Sequence, residues 1–403
     1  MLRVRVGDLQ PGMRLARAVP MPTHPRRFLL QRDVELTDVL CRRLKELAVA
    51  EVWVHLDELG FLGDLIDPEL QEQQRQLYGN IRQNFEQVMR LSDAQLDLES
   101  LRRTVTDLFH YLRDHATGLM FLDKVQLFDN YLMAHSANVA YLSMLLGLKM
   151  NWYLVQERRH ADPEAARDVI TLGFGGLLHD VGKLRLPKEI LDKPGRLTPD
   201  EMEEIRKHPV YGYEMVRGKV PVAAAQVVLN HHQRWDGKGY PRLKHPITGA
   251  ELPPLAEKRI NVFARIATLA DVFDAITSKR VYSDAKPSVQ ALAEMLKFNR
   301  GFFDPTLERG FFEIVPAFPL GTQVKLSNGF TAAVVDFDPT QPCRPKVQPI
   351  RYPDGDPCRY PDNIEIDLAD NRELVIQFVG SVDVRPYLFE APFAAASNPA
   401  STK

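Results

Sequence analysis

Residues 169–183 read VITLGFGGLLHDVGK, and the rest of the chain can be ordered around them. Val169 to Leu178 carries no charge and is long enough for a buried helix. Gly173, Gly175 and Gly176 within it let neighbouring helices approach closely. The run then breaks into His179, Asp180 and, three residues on, Lys183. Burying an adjacent imidazole, carboxylate and ammonium is expensive unless each finds a partner. The segment therefore predicts an all-helical domain with a polar site at the end of a core helix.

Moving outward, the same residue types recur. His208-Pro209 opens another helix, where a proline just inside the start is favourable. His231-His232 closes an apolar helix over Val222 to Asn230 and leads into HHQRWDGKGYP, residues 231–241. Asp271 and Asp274 share one face of a helix running from Arg265 to Ser278. Upstream, His135 lies on a helix above Val139, Leu142 and Leu146. Taken singly, a His on an apolar face such as His135 is more often a satisfied core residue, and His208 reads equally as an ordinary helix-start residue. Together, imidazoles and carboxylates without cysteine are a ligand set for divalent Mn, Fe, Ni or Zn rather than for structural zinc.

The bulk properties are those of an ordinary globular protein. The 403 residues are 45% hydrophobic and 26% charged, with 51 Lys+Arg against 53 Asp+Glu and a formal net charge of −2. That balance speaks against a coat for polymeric nucleic acid. Three cysteines (Cys41, Cys343, Cys358) form no CxxC pair and fit a reducing compartment. MLRVRVGDLQPGM lacks the apolar core of a signal peptide, and no later run approaches the ~20 apolar residues of a membrane helix. The expectation is a cytoplasmic protein with no membrane partner.

The expected organisation is multi-domain and mainly α. Residues 1–64 read as a small α/β module: Val4 and Val6 alternate, a strand resumes near Leu29-Leu30, Thr37 caps a short helix, and Val52, Val54 and Leu56 alternate. Residues 65–97 read as connecting helices, with an apolar stripe of Leu77, Ile81, Phe85 and Val88. A second stripe (Leu98, Leu101, Val105, Leu108, Leu112) has coiled-coil spacing for about two heptads, so packing on the next domain competes with a homodimer contact. Residues 98–315 form the helical catalytic domain. Residues 316–391 form a small β domain: a hairpin about Ser327-Asn328-Gly329, then alternation at Ile364, Ile366 and Leu368, a turn at Asp370-Asn371, and alternation at Leu374, Ile376 and Phe378. Residues 392–403 are an Ala/Ser/Pro-rich flexible tail.

In order, the chain spells H…HDxGK…HP…HHxxWDGxGYP…ADxxDA. The segments are HSANVAYLSMLLG (135–147), GGLLHDVGKLRLPKEILDKPGRLTPDE (175–201), RKHPVYGYEMV (206–216), HHQRWDGKGYP (231–241) and ARIATLADVFDAITSKRVYS (264–283). From about Leu98 to Val315 the chain resembles an HD-GYP domain, a branch of the HD phosphohydrolases. The N-terminal module is also similar to those that precede such domains.

The resemblance implies a cyclic di-GMP phosphodiesterase giving pGpG and, onward, GMP. It implies His135, His179, Asp180, His208, His231, His232 and Asp271 as ligands of two divalent ions, Fe or Mn, with Asp180 bridging them roughly 3.5–4 Å apart and a bridging hydroxide as nucleophile. Lys183 would contact the scissile phosphate and Arg280 a phosphate oxygen. Asp274, Asp236 and Gln233 would support the ligands from behind. Gly237, Gly239, Tyr240 and Pro241 would form a loop beside the site, with Tyr240 offering a ring to a base or to a GGDEF-type signalling partner.

Four positions depart from the family pattern: Gln233 replaces the usual Glu, Ser283 a common basic residue, Leu132 a frequent Thr, and Tyr131 a Glu that recruits a third metal in some members. Two competing readings are a receptor that binds cyclic dinucleotide without turnover and a plain HD nucleotidase acting on mononucleotides.

Overall fold

The computed structural model describes residues 1–21, 24–47, 49, 51–63, 68–90, 95–115, 131–191, 193, 195–245, 247–278, 285–298, 301–359 and 361–391. The chain is mainly helical, flanked by a small α/β region and a β domain.

At the N-terminal side, β1 (Leu2–Arg5) pairs antiparallel with β4 (Glu51–Val54), setting Leu2 opposite Val54 and Val4 opposite Val52. Between them lie the hairpin β2 (Val19–Met21) and β3 (His24–Leu30) and the helix α1 (Asp38–Glu46). Thr37 caps α1 by accepting from the Leu40 amide, as its place before the apolar stripe predicts.

The helices that follow are α2 (Pro68–Arg90), α3 (Leu98–Asp114), α4 (Tyr131–Lys149), α5 (Asn151–Glu157), α6 (Pro163–Ala166) and α7 (Val169–Leu178). After them come α8 (Lys188–Leu191), α9 (Pro199–Ile205), α10 (His208–Val216), α11 (Val222–Asn230), α12 (Val262–Thr277), α13 (Ser288–Phe298) and α14 (Pro305–Ile314). Three of them are buried around most of their circumference. In α4 every residue from Met133 to Gly147 is buried, and α7 and α12 are similar. α4 packs on α7 and α12, while α11 closes against α7 and α12.

The glycines of α7 serve this packing. A Cβ on Gly173 would lie 2.5 Å from Met144, and one on Gly175 would lie 2.8 Å from Val227. The apolar stripes of α2 and α3 are consumed inside the chain, α2 against α3 and α4, and α3 also against α7. Among the described residues no helix is long and apolar enough to cross a membrane.

The β domain is a six-stranded antiparallel sheet in the order β10-β9-β5-β6-β7-β8. Its strands are β5 (Gln323–Leu326), β6 (Thr331–Asp336), β7 (Lys346–Arg351), β8 (Ile366–Asp367), β9 (Ile376–Val379) and β10 (Val382–Asp383). The expected hairpin at 327–329 joins β5 and β6. The two alternating runs on either side of Asp370-Asn371 do not pair with each other: β8 lies on β7 and β9 on β5. Alternation reports one-sided burial and leaves the partner open.

This sheet does not stand apart from the N-terminal module. Leu2, Val4, Val52 and Val54 share a core with Ala333, Val335 and Ile350. The Arg3 amide donates to the Gly321 carbonyl at 3.1 Å, and Trp53 packs so closely on Gly321 that a Cβ there would lie 2.7 Å from its ring.

Candidate metal centre

Three histidines stand where helices stop. His179 follows α7, His231 follows α11, and His208 follows α9 by three residues. The last carbonyls of a helix lack intrahelical partners. Here ring nitrogens meet them: Nδ1 of His179 donates to Gly176 O at 2.7 Å, of His208 to Ile205 O at 2.7 Å, and of His231 to Val228 O at 3.0 Å. His135 lies in the second turn of α4, away from any helix C-terminus, and its Nδ1 donates instead to Asp274 Oδ2 at 2.8 Å. A ring that donates through Nδ1 keeps an unprotonated Nε2, the form that binds metal.

Those Nε2 atoms converge. They lie 3.3 Å apart between His135 and His179, and 3.2 Å apart between His208 and His231. Asp180 sits between the two pairs. Its Oδ2 is 3.4 Å from His179 Nε2 and 3.7 Å from His135 Nε2, while Oδ1 is 3.2 Å from His208 Nε2 and 3.9 Å from His231 Nε2. Asp271 adds Oδ1 at 3.1 Å from His135 Nε2 and Oδ2 at 3.7 Å from His232 Nδ1.

The donor set fits a divalent transition metal. His135, His179 and Asp180 form one group, Asp180, His208, His231 and His232 a second, and His179, His231 and Asp271 a third. Lone pairs that face each other at hydrogen-bond distance need a cation or proton between them. Asp180 Oδ1, fully buried, accepts no well-formed hydrogen bond despite His208 at 3.2 Å. Oxygen and imidazole donors without thiolate suit Mn, Fe, Ni or Zn.

The electrostatics agree. Burial alone would raise the Asp180 carboxyl, but Lys183 and His179 hold it well below the usual range. Asp271 behaves likewise: His135 and His232 outweigh its burial. Burial, reinforced by the neighbouring imidazoles, keeps His231 neutral, and burial drops His232 to about 3 against the pull of Asp271. His135 is the exception: burial pulls it down, yet its bonds to Asp271 and Asp274 win and raise it to about 9, so without metal its Nε2 holds a proton toward Asp271 that a bound cation would displace.

Comparison with known proteins adds a second line. Residues 150–307 match the HD domain family, and residues 323–382 match a KOW domain associated with the HD domain. A cyclic di-GMP phosphodiesterase of Pseudomonas aeruginosa is 34% identical over 226 residues, 55% of this chain and 48% of that protein. The cyclic di-GMP phosphodiesterase response regulator RpfG of Xanthomonas campestris is 40% identical over 131 residues, 32% of each chain. A 3′3′-cGAMP-specific phosphodiesterase of Vibrio cholerae is 35% identical over 133 residues, 32% of this chain and 23% of that protein. This chain belongs, over residues 150–307, to the HD domain family. It spans half or less of the length of these three relatives.

Within the helical domain the remaining expected residues fall as follows. Lys183 Nζ lies 2.6 Å from Asp180 Oδ2, at the mouth of the cluster. Asp274 is fully buried and orients His135. Asp236 shapes its own loop instead of reaching a ligand: it pairs with Arg234 at 2.7 Å and accepts from the Lys238 amide. Gln233 is turned to the loop as well, donating from Nε2 to Pro241 O at 2.7 Å. Gly239 packs on residues 232–234, where a Cβ would lie 2.5 Å from backbone atoms. Tyr240 stacks on His232. Arg280 and Ser283 lie outside the described residues.

Three supporting residues escaped the sequence reading. Asn138 donates to Asp274 Oδ1 at 3.0 Å, Ser278 Oγ lies 3.1 Å from the same carboxylate, and Thr268 donates to the His231 carbonyl at 2.7 Å. Asn138 left a signal, since it follows His135 by three residues on one face of an apolar helix.

Proposed function

We propose that this protein is a metal-dependent phosphodiesterase that opens cyclic di-GMP to pGpG, and pGpG onward to GMP, at a centre of two divalent ions, Fe or Mn. The observation that carries the reading is the Asp180 carboxylate, whose two oxygens face two different pairs of imidazoles. The named activities of the relatives from Pseudomonas and Xanthomonas support the substrate, and the cGAMP-specific relative makes 3′3′-cGAMP the comparison to run.

Bound divalent cations would supply Lewis acidity at phosphorus and an acidified water. The chain's own part is to hold and orient. His135, His179, His208, His231, His232, Asp180 and Asp271 would hold the ions. Lys183, fixed by Asp180 but partly exposed, is placed to meet a phosphate oxygen as a point charge. Arg280 would hold a second phosphate oxygen. Each turnover adds one water: hydroxyl to phosphorus, and a proton to the departing 3′ oxygen. Lys238, at the exposed tip of the GYP loop, leaves that loop accessible to a GGDEF-type partner.

A receptor without turnover would be favoured if Gln233 removed a charge from the centre. Its side chain is instead spent on the Pro241 carbonyl, a bond that a carboxylate could not donate. The test is hydrolysis of cyclic di-GMP by protein purified without oxygen and supplied with Mn or Fe(II), with Asp180→Ala as control. Formation of pGpG by the wild type and none by the variant is expected. Hydrolysis of 3′3′-cGAMP alone would replace the substrate, and turnover by a metal-free Asp180→Ala protein would overturn the reading.

A further inference from the structure

His232 differs from the other four histidines of the cluster. His179, His208 and His231 are oriented by carbonyls and His135 by Asp274, each through a ring hydrogen bond. Among the described residues the His232 ring makes no hydrogen bond: Asp271 stands 3.7 Å from Nδ1, and the His232 side chain is 24% exposed where the other four are at most 2%. What lies on it is Tyr240, with ring centres 4.6 Å apart and planes inclined by 27°.

The loop brings that ring back deliberately. Residues 233–241 leave His232 and return: the Tyr240 amide donates to the His232 carbonyl at 3.1 Å, and Gln233 Nε2 donates to Pro241 O at 2.7 Å. The return is tight enough that only glycine fits at 239. The Arg206 guanidinium, two residues before His208, lies 5.7 Å from the Tyr240 ring centre.

We infer that the GYP loop is the orienting device of one metal ligand: Tyr240 holds the His232 imidazole by stacking, in place of the hydrogen bond the other histidines receive. Tyr240 is thus a positioning residue, and its ring is already engaged with His232 before any base arrives. The inference rests on reading the cluster as a metal centre. Loss of a group that orients a ligand typically weakens metal binding about 10–100-fold.

The experiment needs no substrate. Wild type, Tyr240→Phe, Tyr240→Leu and Arg206→Ala are loaded with Mn(II), desalted and analysed for metal, and release into excess chelator is followed in time. Circular dichroism and thermal melting confirm that each variant is folded. The ring, not the hydroxyl, should matter. Tyr240→Phe should keep wild-type content and release rate, while Tyr240→Leu should release one of its ions at least about tenfold faster. Arg206→Ala should show a smaller acceleration of the same phase. Wild-type retention in Tyr240→Leu overturns the inference alone, as does equal loss in Tyr240→Phe and Tyr240→Leu. A wild type that takes up no Mn(II) overturns the metal-centre reading and this inference with it.

Discussion

Replacing Asp274 by Asn should damage the centre without touching a metal ligand. Asp274 is wholly buried and accepts from His135 Nδ1 at 2.8 Å and Asn138 Nδ2 at 3.0 Å, with Ser278 Oγ at 3.1 Å. Asn keeps the shape but presents one oxygen and one NH2 group to three donors. At least one donor then faces another. The charge-assisted bond to His135 is worth about 1.5–3 kcal/mol and an unsatisfied buried donor costs about 1–3 kcal/mol. Metal-free Asp274→Asn should therefore unfold in urea about 2.5–6 kcal/mol more easily than wild type. With His135 no longer fixed in its ligating orientation, metal affinity should fall about 10–100-fold, equivalent to about 1.4–2.7 kcal/mol. Chelator competition with Mn(II) measures the second effect independently of turnover. Affinity within threefold of wild type, with an unchanged urea midpoint, would refute the orienting role.

Three further outcomes are expected. In Gly182→Ala the new Cβ would lie 1.9 Å from His208 O and 2.4 Å from Gly212 N, so backbone must move; we expect a loss of about 3 kcal/mol or more and depleted metal, measured by urea unfolding and metal analysis. In metal-free protein, His135 at about 9 adds stability that is complete below its unfolded value near 6.5 and is lost as pH rises through 9, on the order of 3 kcal/mol. His232, at about 3, acts in the opposite sense and costs stability as pH falls below 6.5, so urea midpoints with chelator present should peak near pH 6.5. A flat profile from pH 6.5 to 9 would exclude a charged His135. Trp53→Ala, which empties the contact between the N-terminal strands and Gly321, should cost about 3–5 kcal/mol yet leave metal content unchanged.

The centre was legible in the sequence because its chemistry is locally written. A His-Asp pair closing an uncharged helix, and two carboxylates three residues apart on another, are unusual enough to point inward without a structure. The sequence could not show how each imidazole is aimed. That depends on carbonyls exposed only once α7, α9 and α11 have ended, and on Asp274 arriving beside His135 from 139 residues away. The motif offers the Tyr240 ring to a base or to a partner and is silent on its stacking against His232, because a motif does not reveal which neighbour lies on an aromatic ring. Strand partnership was the other blind spot. The alternation at Ile376 and Phe378 fixed a half-buried strand, yet its pairing with β5 instead of the preceding run is a tertiary choice.

The core shared by the β1–β4 ribbon and the six-stranded sheet has a consequence for synthesis. Leu2, Val4, Val52 and Val54 emerge from the ribosome about 280–350 residues ahead of Ala333, Val335 and Ile350, a delay of tens of seconds at about 5–20 residues per second. Through that interval the ribbon holds an uncovered apolar face while the whole helical domain is made and folds. The nascent chain thus carries an adhesive surface until β6 and β7 are made, and those two strands are what retire it.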